Sequence, residues 1–182
     1  MIYKLKTPVN DDDLIKLKIG DIVYLTGIII TARDQAHKRI IEYIEQKKPL
    51  PKEFFQLKGS AIYHCGPIVR RSEKGLEIIS GGPTTSQRMD KIQNKVVKVL
   101  GVKFIIGKGG MKNLKTSENK IVYLSFTGGC GAIVNKKINR VLNVVWEDLG
   151  QCEAVYFLDM KEFGPLIVAQ DIHGNSLYKT YL

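Results

Sequence analysis

Several apolar runs in this sequence stop at glycine clusters, and that repeated pattern constrains the fold most. Leu76 to Ser80 stops at Gly81-Gly82-Pro83, Val102 to Ile106 at Gly107-Lys108-Gly109-Gly110, and Ile121 to Phe126 at Thr127-Gly128-Gly129. Runs this short, rich in β-branched and aromatic residues, read as buried strands. Glycine at a strand end lets the backbone take positive φ and approach a ligand closely. Helix-period segments lie between the runs. Ile22 to Ile30 is a strand that Thr31 closes as a helix N-cap, and Ala32 to Gln46 carries Ala36, Ile40, Tyr43 and Ile44 at helical spacing before Pro49 and Pro51 forbid continuation. Ser60 to His64 is a further strand, followed by a helix from Thr84 to Leu100 with Ile92, Val96 and Val99 inward and Gly101 as its C-cap. Val141 to Val145, Ala154 to Leu158 and Leu166 to Ala169 complete the strands. Mixed α/β structure follows, and in open α/β sheets ligands bind where strands end.

The 182 residues fit one domain spanning 1–182. No apolar run approaches the roughly 20 residues of a membrane helix, and the N-terminus lacks a signal-peptide stretch, so a cytoplasmic location is expected. Cys65, Cys130 and Cys152 are scattered and odd in number, which reads as buried free thiols and not as a disulfide framework or metal knuckle. With 28 Lys and Arg against 18 Asp and Glu, the net charge of +10 favours anionic partners. The basic residues are dispersed and no nucleic-acid motif accompanies them, so small carboxylates or an acidic subunit suit the charge better than nucleic acid.

Four segments carry chemistry. In Thr31-Ala32-Arg33-Asp34-Gln35-Ala36-His37, Arg33 and His37 stand one helical turn apart. An arginine fork matches a carboxylate, and an imidazole exchanges protons near neutral pH. The bland alternative is a surface pair of Arg33 with Asp34 beside a core histidine. Gly81-Gly82-Pro83-Thr84-Thr85-Ser86-Gln87-Arg88 sets three hydroxyls after a double glycine with an arginine one turn on, which reads either as caps or as an anion cradle. Gly107-Lys108-Gly109-Gly110 fails the Walker A spacing but offers an exposed point charge. Thr127-Gly128-Gly129-Cys130-Gly131 permits close backbone approach, with a packing role for Cys130. His64 fits a core histidine as well as a site residue, and His173 fits turn chemistry. Together Arg33, Arg88 and Lys108 form a ring of cations suited to a small dicarboxylate.

TARDQAHKR, YHCGPIV, GPTTSQRMD, GVKFIIGKGGM and KEFGPLIV, in this order and spacing, resemble the β subunit of class I fumarate hydratase and the related β subunit of L-tartrate dehydratase. The resemblance runs from about Leu5 to Tyr178. It implies a three-layer β/β/α swivelling domain of the fumarase C-terminal type, here as a separate subunit of an αβ hetero-oligomer. It implies that an α subunit carries a [4Fe-4S] cluster and that this chain binds no metal. Arg33, Arg88 and Lys108 would grip the substrate carboxylates. Thr84 would be the proton-abstracting base, helped by the cationic pocket and a helix N-terminus, with His37 as an alternative proton carrier and Asp34 orienting Arg33 or His37. The implied reaction is reversible dehydration of (S)-malate to fumarate. Dehydration of L-tartrate to oxaloacetate is the alternative within the family, since His64 stands where many fumarases have tyrosine. A non-catalytic basic assembly module is the alternative outside it.

Overall fold

The computed structural model describes residues 1–73 and 75–178. In chain order its elements are β1 (Ile2–Lys6), α1 (Asp11–Ile15), β2 (Ile22–Thr31), α2 (Asp34–Glu45), β3 (Ala61–Tyr63), β4 (Ile68–Ser72) and β5 (Gly75–Ser80). These are followed by α3 (Gln93–Leu100), β6 (Phe104–Gly107), α4 (Thr116–Asn119), β7 (Val122–Ser125), α5 (Gly131–Val134), β8 (Ile138–Val145) and β9 (Val155–Gln170). Strands β2, β3, β6 and β7 pair in parallel in that order, with β1 beside the first half of β2. The long antiparallel β9 pairs with both β7 and β2 and so closes the sheet on itself, while β8 flanks it and β4–β5 form a separate hairpin.

Period-two alternation along the strands divides the apolar residues between two cores. Ala61, Tyr63, Phe104, Ile106, Val122 and Leu124 point into the closed sheet, where they meet Met160, Phe163 and Leu166 of β9. Ile62, Ile105 and Tyr123, one residue out of phase, face the helices and pack on Ala36, Ile40, Val96, Val97 and Leu100. Two β layers and one helical layer result, the β/β/α arrangement. Between the β layers the Tyr63 and Phe126 rings both pack edge-on against Phe163, at 5.1 and 5.0 Å. Such pairs add about 0.5–1.5 kcal/mol each beyond their buried area.

Several local expectations need correction. Thr31 does not cap a helix: it is the last residue of β2, and its Oγ1 accepts from Tyr156 N at 3.1 Å across the sheet. The α2 N-terminus is instead satisfied by Glu153, whose Oε2 accepts from Gln35 N at 2.8 Å. The expected helix from Thr84 to Leu100 is a one-turn 3₁₀ helix, Ser86–Met89, followed by α3. Val99 is 47% exposed, because the buried face is Val96, Val97 and Leu100. Gly101 does end this helix, at φ 65°. The two expected strands at 154–158 and 166–169 are one strand, β9, that continues through Gly164-Pro165. Of the three cysteines only Cys65 is buried; Cys130 is half-buried and Cys152 exposed. No helix among the described residues is long and apolar enough to cross a membrane.

Candidate active site

The C-terminal ends of β2, β3, β6 and β7 lie along one edge, and the chemistry-bearing segments leave from it. Arg33 is the N-cap residue of α2, with extended backbone (φ −136°, ψ −150°) that turns its side chain away from the helix. Its Nε lies 3.1 Å from Glu153 Oε1 and 3.3 Å from Asp34 Oδ2. Asp34 also accepts from Arg88 Nε at 2.9 Å and pairs with its second guanidinium nitrogen at 2.8 Å. Arg33, Asp34 and Arg88 therefore form one cluster in which Asp34 bridges the two arginines, whereas Lys108, expected in a ring with those arginines, shares no ion pair with them among the described residues. Two carboxylates, Asp34 and Glu153, balance the two arginines and hold them side by side. Glu153 escaped the sequence reading, because no local pattern marks a carboxylate that arrives from a distant turn.

Gly66 makes room for this cluster. A Cβ built on it would lie 2.7 Å from an Arg33 terminal nitrogen and 2.7 Å from the Cys152 carbonyl oxygen.

Thr84 sits on extended chain stitched to two strand ends. Its N–H donates to the His64 carbonyl at 2.7 Å, and on either side Pro83 bridges to Cys65 and Thr85 to Lys108. The helix N-terminus expected beneath Thr84 is thus displaced by two residues and reduced to a single 3₁₀ turn. Lys108 is exposed, makes no ion pair among the described residues, and passes its Nζ 3.7 Å from the Cβ position that Gly128 leaves vacant.

His37 lies beneath this surface and not in it. It is fully buried, with Nδ1 2.9 Å from the Arg33 carbonyl, which fixes the proton on Nδ1. Burial lowers its pKa to about 4, despite the opposing hydrogen bond to Arg33, so it is neutral at physiological pH. His64 is also fully buried, and both ring nitrogens are bonded: Nδ1 to Ser86 Oγ at 2.8 Å and Nε2 to Gln93 Oε1 at 2.9 Å. Burial, and then the neighbouring His37, hold it well below the usual histidine range.

The cysteines do not suit an iron–sulfur cluster. Among the described residues no three His, Cys, Asp or Glu side chains converge as metal ligands. Cys65 is buried, Cys130 half-buried and Cys152 exposed, all three as free thiols, and burial pushes the Cys65 thiol up to about 12.

Fold and site together define an α/β domain that presents two arginines, a lysine and a threonine at the ends of its parallel strands. This chain belongs to the fumarase C-terminus family, whose family model matches residues 2–181. It is 41% identical over 177 residues to the L(+)-tartrate dehydratase subunit beta of Escherichia coli K12, covering 95% of this chain and 85% of that protein. A Methanocaldococcus jannaschii protein provisionally named L(+)-tartrate dehydratase subunit beta is 48% identical over 171 residues, 92% of this chain and 86% of its own. A Geobacillus stearothermophilus protein provisionally named class I fumarate hydratase is 36% identical over 182 residues, which cover 98% of this chain but 34% of that longer one.

Proposed function

We propose that this chain is the β subunit of a two-subunit hydro-lyase acting on a four-carbon 2-hydroxydicarboxylate. The observation that supports this reading is Arg33 and Arg88 held together on Asp34 at one end of the sheet, with the Thr85–Lys108 bridge tying the loop that carries Thr84 to the lysine. The cations receive the two carboxylates. Thr84 Oγ1 in its anionic form takes the proton from C3 and becomes the hydroxyl, those bonding electrons form the C2–C3 double bond, and hydroxide leaves C2, so that release of the proton from Thr84 completes the loss of one water. A threonine hydroxyl is a poor base in water, and Arg88 and Lys108 lower the cost of its anionic form.

The two relatives with subunit-beta names point to L-tartrate as the hydroxy acid, with the enol product tautomerising to oxaloacetate. The relative named for fumarate hydratase supports (S)-malate as the second reading. An α subunit would complete the site and carry the [4Fe-4S] cluster, because the cysteines of this chain do not suit one. A cytoplasmic location accompanies this reading.

Anaerobic reconstitution with the cluster-loaded α subunit, assayed on L-tartrate and (S)-malate side by side, tests it. Turnover of either acid supports the reaction class, and the preferred acid gives the name. A stable complex with an intact cluster that turns over neither acid overturns the reading. Nucleic-acid affinity falling by about 0.9 log units per log unit of salt for each phosphate contacted would favour the assembly-module alternative.

A further inference from the structure

Beneath the cations runs a chain of buried polar groups that the proposed reaction does not use. Gly110 N–H donates to Tyr123 Oη at 3.3 Å, Tyr123 Oη lies 2.9 Å from Ser86 Oγ, Ser86 Oγ lies 2.8 Å from His64 Nδ1, and His64 Nε2 lies 2.9 Å from Gln93 Oε1. The donor directions follow from the ends. Gln93 Oε1 can only accept, so His64 carries its proton on Nε2 and accepts at Nδ1. Ser86 must then donate to His64, and Tyr123 must donate to Ser86. On the far side His37 Nδ1–H donates to the Arg33 carbonyl, leaving His37 Nε2 as an acceptor. That acceptor and the Gln93 Nε2 donor are both buried without a partner, and Gln93 is near enough to act on the His37 proton equilibrium. The His37 and His64 rings meet edge-on with centroids 5.2 Å apart, so the links from Gly110 to Gln93 all point one way and end packed against the histidine that holds the Arg33 carbonyl.

Gly107 shows that the crossing point is built for this chain. A Cβ there would lie 2.0 Å from Ser86 Oγ, 3.2 Å from Tyr123 Oη and 3.3 Å from His64 Nδ1. Three members of the chain therefore meet over the one residue of β6 that has no side chain.

We propose that Ser86 is a positioning residue, the central link of a one-way hydrogen-bond chain that sets the spacing between the segments carrying Lys108, Thr84 with Arg88, and Arg33. The chain starts at Gly110 beside Lys108, passes through Ser86 at the start of the 3₁₀ turn that carries Arg88, and ends at His64 and Gln93, where the His64 ring packs against His37 and the His37 ring in turn holds the Arg33 carbonyl. Half-satisfied buried networks are costly, so removing the central hydroxyl disturbs both neighbours at once. In its kinetic part the inference rests on the proposed hydro-lyase activity.

The test uses Ser86→Ala, Gly107→Ala and the double variant in the reconstituted complex. Each single variant is expected to lower kcat about 10- to 100-fold with KM changed less, because reaction geometry is more sensitive to misplacement than charge attraction is. The double variant is expected to be no worse than the poorer single one, since both break the same link. Leu14→Ala, a buried truncation in α1, supplies the control for lowered global stability with kcat retained. Amide exchange on the full chain reads positioning without turnover: Ser86→Ala should deprotect residues 33–37, 84–88 and 108–110 together. Deprotection confined to 84–88, or an unchanged kcat in an active complex, overturns the proposal. If Ser86→Ala fails to fold, Tyr123→Phe deletes the adjoining donor at nearly constant volume, and the same exchange pattern decides. A wild-type complex inactive on both acids would sink the proposed reaction and leave the exchange result to stand or fall alone.

Discussion

Arg88 grips Asp34 as a fork, with Nε 2.9 Å from Oδ1 and a terminal nitrogen 2.8 Å from Oδ2. The same carboxylate meets Arg33 Nε at 3.3 Å, so one residue holds together two arginines that would otherwise repel. Asp34→Asn removes the charge and keeps the shape. We expect kcat/KM of the reconstituted complex to fall about 10- to 100-fold through misplaced arginines. Stability should fall by about 1–2 kcal/mol, because Asp34 and Arg33 are only 16% and 21% exposed and the Arg88 end alone, at 49%, is well screened. Steady-state kinetics beside a thermal melt checks both, and unchanged kinetics would show that the arginines hold their places without Asp34.

Gly66→Ala attacks the cluster from the opposite side. Its Cβ would meet an Arg33 nitrogen and the Cys152 carbonyl oxygen, each at 2.7 Å. The guanidinium can swing aside but the carbonyl cannot, so a cost of about 1–3 kcal/mol in stability is expected with displacement of Arg33. Activity should then fall to the level of Arg33→Ala. A Gly66→Ala variant that is stable and fully active would mean that Arg33 tolerates another path.

These two sites also show what the sequence could and could not disclose. Arg33 and Asp34 were legible as a pair because they are chain neighbours at a strand-to-helix junction, but the helical face expected to bring His37 beside Arg33 does not form, since Arg33 is the extended cap residue and His37 turns into the core. The cap of that helix was not legible: Thr31 is the locally correct residue type, yet the cap is Glu153, 118 residues beyond the amide it binds. The Thr84 segment was misread as helix because proline followed by hydroxyl residues is also a helix-start pattern; bridges to Cys65 and Lys108 hold it extended instead. The strand β9 was divided at Gly164-Pro165, residues that usually end strands, although closure of the sheet needs the chain to bend and continue there. His64 and Ser86 were visible singly. Their pairing depends on two strand-end segments meeting over Gly107, and that is tertiary information.

Lys108→Met offers a variant whose loss should fall on binding alone. The lysine is exposed and has no ion pair among the described residues, so stability should change by no more than about 0.5 kcal/mol. Loss of a cation that meets a substrate carboxylate should raise KM at least tenfold, and Lys108→Arg should recover part of it by restoring the charge. Equal KM values in wild type and Lys108→Met would remove this residue from the carboxylate grip.

The buried histidines make stability depend on pH in a window of their own. Burial holds His37 at about 4, against 6.5 for the free side chain. Between those values the unfolded chain binds a proton that the native chain refuses, so stability falls as pH drops below about 6.5 and levels off below about 4. At 1.36 kcal/mol per pK unit, His37 alone accounts for about 2 kcal/mol lost by pH 5. His64, shifted in the same direction, adds to the loss. Asp11, held near 2 by hydrogen bonds from Lys103 and Lys120, titrates below this window and does not mask it. Urea unfolding at pH 7 and pH 5 should therefore show a steep decline in the wild type and a decline smaller by about 2 kcal/mol in His37→Gln. Equal declines in the two proteins would mean that His37 takes up its proton in the folded state as readily as in the unfolded one, which its buried Nε2 in this structure does not permit.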